Sequence, residues 1–86
     1  MNRFAEGEII INEEEFYIWL GQYLKGLRMS KKWTQSQLCS RYHLSRSSLS
    51  NIELGRHHLS AFALYKLLRI LDEPFVLTLK TMTSTE

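Results

Sequence analysis

The chain of 86 residues has one cysteine, one proline and no long apolar run. The single cysteine, Cys39, cannot form an internal disulfide bond, which excludes a small disulfide-stapled secreted protein and indicates a reducing compartment. The longest apolar stretch without a charge, residues 16–24, has nine residues, far fewer than the ~20 needed to span a bilayer. Glu6 and Glu8 stand where a signal peptide needs a basic start. We therefore expect a cytoplasmic protein.

Motifs that would indicate an enzyme are also missing. Apolar residues make up 44% of the sequence and charged residues 23%, a balance typical of a globular domain rather than a disordered tail. A chain of this length forms one small domain. It contains no Gly-x-Ser-x-Gly motif, no phosphate-binding glycine loop and no spaced set of metal ligands. We therefore expect a protein that is not an enzyme and has no cofactor or metal.

Positive and negative charges are distributed unevenly along the chain. Residues 1–15 carry one arginine and five glutamates, whereas residues 25–56 carry seven lysines or arginines against Glu53 alone. A concentrated positive potential attracts a polyanion such as nucleic acid. A solvated basic surface without a partner explains the same pattern, so charge alone leaves both alternatives open.

Four residues of the types that cap helix N-termini each precede a segment with apolar residues at helical spacing: Asn12, Thr34, Ser45 and Ser60. The predicted helices cover about residues 13–29, 35–42, 45–55 and 60–71. Gly21 and Gly26 weaken the first helix by up to ~1 kcal/mol each relative to alanine, so packing must hold it together.

The residues after the fourth helix show a different pattern. Pro74 is expected to stop helical structure, and the alternation of Phe75, Leu77 and Leu79 with polar or β-branched residues predicts a strand. A single strand has unpaired backbone groups along its edges. We predict that it pairs with the same strand of a second molecule, which makes these three residues the dimerisation site. Pairing with the arm at residues 9–11 is the alternative.

The second and third predicted helices are short and joined by a tight turn. This arrangement is typical of a helix-turn-helix unit, in which the second helix lies in the DNA major groove and the first braces it. The second helix of this unit is the third predicted helix. Four polar side chains lie opposite its apolar face: Arg46, Ser47, Ser50 and Asn51. Arginine can form two hydrogen bonds with guanine and asparagine two with adenine, while serine allows close approach. A polar surface helix without a ligand is the alternative, and we favour DNA binding.

The motifs of this region are similar to those of a known family. Thr34-Gln35 opens the first motif helix, and SRSSLSNIELG at 45–55 forms the recognition segment. With the leucines that follow, they cover about residues 24–72 and resemble the Cro/C1-type (XRE) helix-turn-helix family. The tail, the chain length and the run Trp33-Thr34-Gln35-Ser36 are similar to those of HipB-type antitoxins, which are small dimeric repressors that hold a kinase toxin.

The resemblance implies a role for each matching position. It implies DNA base contacts from Arg46, Ser47, Ser50, Asn51 and, at the rim, Ser45. It implies DNA phosphate contacts from Gln35, Ser36, Thr34, Lys31, Lys32, Arg56 and His57. Arg28 and Glu53 are expected to form a structural ion pair between the first and third helices. Cys39 stands where the family usually has alanine, and we interpret it as a packing residue rather than a redox sensor.

These observations predict an all-α, lambda-repressor-like domain of four to five helices with a short C-terminal β-strand. Residues 1–12 are expected to form an arm, residues 13–73 the DNA-binding domain, and residues 74–86 a dimerising strand and tail. The predicted function is that of a homodimeric repressor from a bacterium or phage, binding an inverted-repeat operator in double-stranded DNA through the major groove. The alternative is an antitoxin that binds a toxin kinase and autoregulates its operon.

Overall fold

The computed structural model describes residues 12–75 and residue 80. Within this part the chain forms four α-helices: α1 (Glu13–Ser30), α2 (Gln35–Tyr42), α3 (Arg46–Glu53) and α4 (Ala61–Ile70). All four predicted helices are confirmed. The structure gives these residues no helix that is both long enough and apolar enough to cross a membrane. The predicted arm before residue 12 lies outside the described residues.

Each helix begins at a side chain that caps its free backbone N–H groups. The predicted caps all accept such a bond: Asn12, Thr34, Ser45 and Ser60. At α2 the capping is reciprocal, because Thr34 Oγ1 accepts from the Gln37 backbone at 3.1 Å while Gln37 Oε1 accepts from the Thr34 backbone at 2.8 Å. A cap contributes about 1 kcal/mol, so the local sequence determines where the helices start.

All four helices are followed by a residue with positive φ: Lys32 (60°), His43 (52°), Gly55 (80°) and Asp72 (60°). In each case the following residue donates its backbone N–H to a carbonyl five positions earlier, as Glu73 does to Leu68 at 2.9 Å. These bonds form the Schellman motif, which satisfies carbonyls at the helix end. Glycine adopts a positive φ freely, whereas other residues lose about 1 kcal/mol there. The ends of α1, α2 and α4, where the residue is not glycine, are therefore held in spite of local strain.

Apolar side chains from all four helices and the residue after α4 meet in one core. The buried members are Leu20, Leu24, Leu38, Cys39, Leu49, Ile52, Leu67, Leu68 and Leu71. Helix α3 packs against α1 and α2, and α2 also packs against α4. Full burial of a leucine side chain is worth about 1.5–3 kcal/mol, so this core fixes the orientation of α2 relative to α3.

Helix α1 crosses α3 at Gly21. A Cβ atom at this position would lie 2.6 Å from the Glu53 carbonyl oxygen and closer still to that of Ile52. Backbone atoms cannot move aside as the end of a flexible side chain can, so only glycine allows this approach. Gly26 differs, because a Cβ there would meet nothing within 4 Å. Helix propensity alone makes both glycines weak points of α1, and the packing reason for Gly21 is visible only in the structure.

The predicted C-terminal strand is wrong. Phe75 and Lys80, the described residues at the two ends of that segment, are helical, and every regular element of the described part is a helix. Leu77 and Leu79 lie outside the described residues. The fixed φ of proline and its missing N–H suit the first turn of a new helix as well as the end of an old one. An alternation over six residues is too short to separate a strand period from a helical one.

Candidate nucleic-acid interface

Helix α3 has one buried face and one open face. Leu49 and Ile52 are buried in the core. Arg46, Ser47 and Asn51 are exposed on the other side, and Ser50 is half-buried beside them. The four side chains predicted from the sequence to contact bases therefore share the accessible side of the helix.

Hydrogen bonds divide the predicted base-contacting residues into two groups. Ser45 caps α3 through the Ser48 backbone N–H at 3.1 Å, and its hydroxyl also lies 3.3 Å from the Ser47 hydroxyl. No hydrogen bond or ion pair within the described residues engages the side chains of Arg46 and Asn51. Their donors are therefore available to a ligand, while Ser45 is committed to the helix start.

A buried ion pair fixes α3 to α1. Arg28 and Glu53 are 7% and 6% exposed, and two N–H groups of the guanidinium reach the two carboxylate oxygens. The third nitrogen, Nη1, donates to the Trp33 carbonyl at 2.7 Å. The structure thus brings together the two residues that the resemblance pairs, and it adds the α1–α2 connection to their network.

The same network reaches the start of α2 through Gln35. This half-buried side chain donates from Nε2 to Glu53 Oε1 at 3.1 Å. An amide nitrogen carries two N–H groups, so one remains for a phosphate oxygen. Glu53 therefore holds the Gln35 amide in a defined orientation at the N-terminus of the first motif helix.

The remaining predicted phosphate contacts surround the two motif helices. Lys31 and Lys32 follow the last residue of α1, and Thr34 and Ser36 flank Gln35 at the start of α2. Arg56 and His57 follow α3 and are exposed. Lys31, like Gln35, is half-buried. The other predicted phosphate-contacting residues are exposed: Lys32, Thr34, Ser36, Arg56 and His57.

The sequence does not predict that Arg41 and Lys31 lie against the ring of Trp33. The Arg41 guanidinium lies 4.2 Å from the ring centroid and the Lys31 ammonium 5.9 Å from it. Arg41 also donates to the Gln37 carbonyl at 3.0 Å. A cation on an indole face is stabilised by about 0.5–1 kcal/mol when exposed. Trp33 and Arg41 lie on different elements, so no helical period links them in the sequence.

Cys39 belongs to the core rather than to a reactive site. Cys39 lies on α2, and its side chain is buried among the other core residues. Burial raises the pKa of the Cys39 thiol, and the nearby positive charge of Arg46 opposes this effect without reversing it. A thiol with a raised pKa carries less of the nucleophilic thiolate at neutral pH.

Comparison with known proteins identifies the fold. The family described as "Helix-turn-helix domain" matches residues 19–77, which is more than half of the chain. The chain belongs to this helix-turn-helix family. The family resemblance stated from the sequence is thereby confirmed. No curated protein matches the chain.

Solved structures of regulatory proteins share the fold of this helix-turn-helix protein. The restriction-modification controller protein C.AhdI from Aeromonas hydrophila is 30% identical, with a TM-score of 0.66, and the match covers 70% of this chain and 91% of that one. The controller protein C.Esp1396I, solved as a tetramer with its natural 35 base-pair operator, is 23% identical, with a TM-score of 0.69 and coverage of 77% and 87%. The clp gene regulator ClgR from C. glutamicum is 22% identical, with a TM-score of 0.69 and coverage of 93% and 99%.

Proposed function

We propose that this helix-turn-helix protein acts as a homodimeric repressor that binds an inverted-repeat operator, with α3 of each subunit in a major groove. Its broader role is that of a DNA-binding transcriptional regulator, which follows from its family and from its 30% sequence identity with the controller protein C.AhdI. The prediction of that role from the sequence is confirmed.

The available donors on α3 carry the proposal. Arg46 and Asn51 are exposed and unengaged within the described residues, on the side of α3 opposite Leu49 and Ile52. These side-chain types form bidentate bonds with guanine and adenine edges respectively. The Arg28–Glu53 pair holds α3 rigidly, so the geometry of these contacts is set before DNA arrives.

Phosphate contacts are proposed for the residues around α2 and after α3. Gln35 offers one free amide N–H at the N-terminus of α2, where backbone N–H groups and the helix dipole favour an anion. Lys31, Lys32 and Arg56 add positive charge on either side of the motif, and His57 adds more when protonated. Such contacts position the protein without selecting a sequence, and they make affinity fall steeply with salt.

We place the dimer interface on the outer face of α4 together with Phe75. Phe62 is 67% exposed and Tyr65 is 41% exposed. Tyr65 meets Phe75 edge to face, with ring centroids 6.5 Å apart. Large apolar side chains grouped on a surface mark protein contacts. The proposal keeps Phe75 in the interface but replaces strand pairing with packing of a helix face.

The antitoxin alternative loses part of its basis. The similarity of the tail to a strand-paired family no longer supports it, because that strand is wrong; the chain length and the run Trp33-Thr34-Gln35-Ser36 remain. No observation in the described part of the chain favours a toxin kinase as partner over DNA.

Selection from a random duplex library with the purified protein at moderate salt tests the proposal. We expect recovery of an inverted repeat whose half-sites lie roughly one helical turn apart, with a guanine at a fixed place in each half-site. A reporter gene placed behind the recovered site should then be silenced by the protein. Recovery of no sequence above background would overturn the proposal of sequence-specific operator binding. Activation of the reporter would overturn the proposal that the protein is a repressor.

A further inference from the structure

A cleft opens between the carboxyl end of α2, the turn that follows it, and α4. Its volume is about 360 Å³, within the range of roughly 300–1,000 Å³ that is typical of small-molecule sites. The lining residues are Arg41, Tyr42, His43, Leu44, Lys66 and Ile70. Only Arg41 among them also belongs to a cluster described above, the one around Trp33.

The rim of this cleft is basic. Arg41 and Lys66 are exposed and charged, and His43 adds a third positive charge when it is protonated. No carboxylate lines the cleft, and no ion pair within the described residues involves these three side chains. The exposed Lys66 ammonium lies 5.4 Å from the centre of the Tyr42 ring, which lines the cleft, and 5.5 Å from that of the Phe62 ring. Unneutralised positive charge around a concave surface concentrates anions.

The floor of the cleft is apolar. Tyr42, Leu44 and Ile70 are all half-buried and pack against the core. A free inorganic anion would leave this apolar surface uncovered, and a neutral apolar molecule would leave the cations unpaired. The combination fits a molecule that has an apolar body and one anionic group.

We propose that the cleft binds a small organic acid. Its ring or aliphatic body lies on Leu44 and Ile70, and its carboxylate faces Lys66, while Arg41, whose guanidinium stacks on Trp33, adds positive charge to the rim. The ligand also contacts His43, which has a positive φ of 52° in the turn between α2 and α3. Occupation of the cleft therefore bears on the connection between the two motif helices, although the binding itself requires no DNA.

Titration of the ¹⁵N-labelled full chain with 1-naphthoate, followed by NMR, tests this site without DNA. We expect saturable shifts of the Tyr42, His43, Leu44 and Ile70 amides. Replacement of the carboxylate by the neutral amide, 1-naphthamide, should weaken binding about fivefold, as expected for the loss of one exposed ion pair. Lys66→Gln should weaken naphthoate binding by the same factor. The control Lys25→Gln, at an exposed lysine on α1, should leave it unchanged.

Three results would overturn the proposal. The first is equal affinity for naphthoate and naphthamide, because the cations then select nothing. The second is a set of shifts that map to Phe62 and Tyr65 instead of the cleft, which indicates adsorption to exposed aromatic rings. The third is weaker binding of operator DNA by Lys66→Gln in the absence of any acid, because the cations then serve as phosphate contacts.

Discussion

Arg28 and Glu53 join α1 to α3 through a buried, bidentate ion pair, with Arg28 Nε 2.7 Å from Glu53 Oε2 and Nη2 3.0 Å from Oε1. Trp33 accepts from the same guanidinium and Gln35 donates to the same carboxylate. The pair thus connects both helices of the motif to the helix that precedes them. Because each charge is almost completely removed from water, neither residue can be lost without leaving the other uncompensated.

Arg28→Met should lower the free energy of unfolding by ~3–5 kcal/mol, because the Glu53 carboxylate would remain buried without a counterion. The free energy of unfolding of Arg28→Lys should lie between those of Arg28→Met and the wild type, since lysine keeps the charge but not the bidentate geometry. Urea denaturation followed by circular dichroism measures both. Arg56→Met, at an exposed arginine that follows α3, is the control and should change stability by less than ~0.5 kcal/mol. A loss this small for Arg28→Met would contradict the structural role.

Gly21→Ala and Gly26→Ala should shift stability in opposite directions although both lie within α1. At Gly21 the new methyl group would collide with the α3 backbone, and overpacking of this kind costs about 1–3 kcal/mol. At Gly26 it would meet open space, so the higher helix propensity of alanine should stabilise by up to ~1 kcal/mol. Thermal denaturation of the two variants measures the pair. Equal destabilisation would show that α1 and α3 do not cross at Gly21.

The contrast between the two glycines shows how far the sequence predicts the fold. Helix starts follow from local chemistry, so Asn12, Thr34, Ser45 and Ser60 predict them correctly. The close approach at Gly21 depends on a residue far away in the chain, which no local pattern reveals. The prediction of a strand in the tail fails for a related reason. Pro74 ends one helix and is compatible with starting another, and six residues cannot decide between the two outcomes.

For the candidate site, the outward face of α3 could be predicted because buried and exposed residues alternate with the helical period. The orientation of Gln35 by Glu53 and the stacking of Arg41 on Trp33 could not be predicted. Each depends on side-chain rotamers or on contacts between elements. The sequence therefore identifies which residues can reach a ligand, and the structure identifies which of them are free to do so.

Cys39 should react with iodoacetamide more slowly in the native protein than in urea. Burial restricts access and raises the pKa of the thiol, so the folded chain holds less thiolate at pH 8 than the unfolded chain. The neutral Cys39 thiol makes its full contribution to the free energy of unfolding at pH values below the pKa that the thiol has in the unfolded chain. This contribution is lost as pH rises through the higher pKa of the thiol in the folded chain. Mass spectrometry of alkylated protein measures the rates. Equal rates would place Cys39 outside the core.

Phe62→Glu should convert the proposed dimer to a monomer. A charge introduced into an apolar contact is poorly solvated, and loss of one aromatic anchor should raise the dissociation constant at least about tenfold. Sedimentation equilibrium at micromolar concentrations measures the change. Met29→Glu is the control, because Met29 is a 57% exposed apolar residue on α1, outside the proposed interface. If both variants remain dimeric, the interface does not lie on the outer face of α4.

Arg46→Ala should weaken binding to the selected operator by ~1–3 kcal/mol and relax the preference for the base that Arg46 contacts, because a bidentate contact discriminates against the wrong base. Lys32→Gln should weaken binding to all duplexes alike and make the dependence of affinity on salt less steep, as expected for a phosphate contact. Glutamine is used because Lys32 already has a positive φ, and a second non-glycine residue keeps that strain comparable.

Fluorescence anisotropy with the operator and with single-base variants, at several salt concentrations, separates the two effects. Arg46 is exposed and Lys32 ends α1 in a Schellman motif, so neither change removes core packing. If Arg46→Ala binds every duplex with unchanged affinity and selectivity, α3 does not present Arg46 to the bases. If it weakens all duplexes equally, Arg46 contacts phosphate, and base selection must come from the other residues on this side of α3, which are Ser47, Ser50 and Asn51.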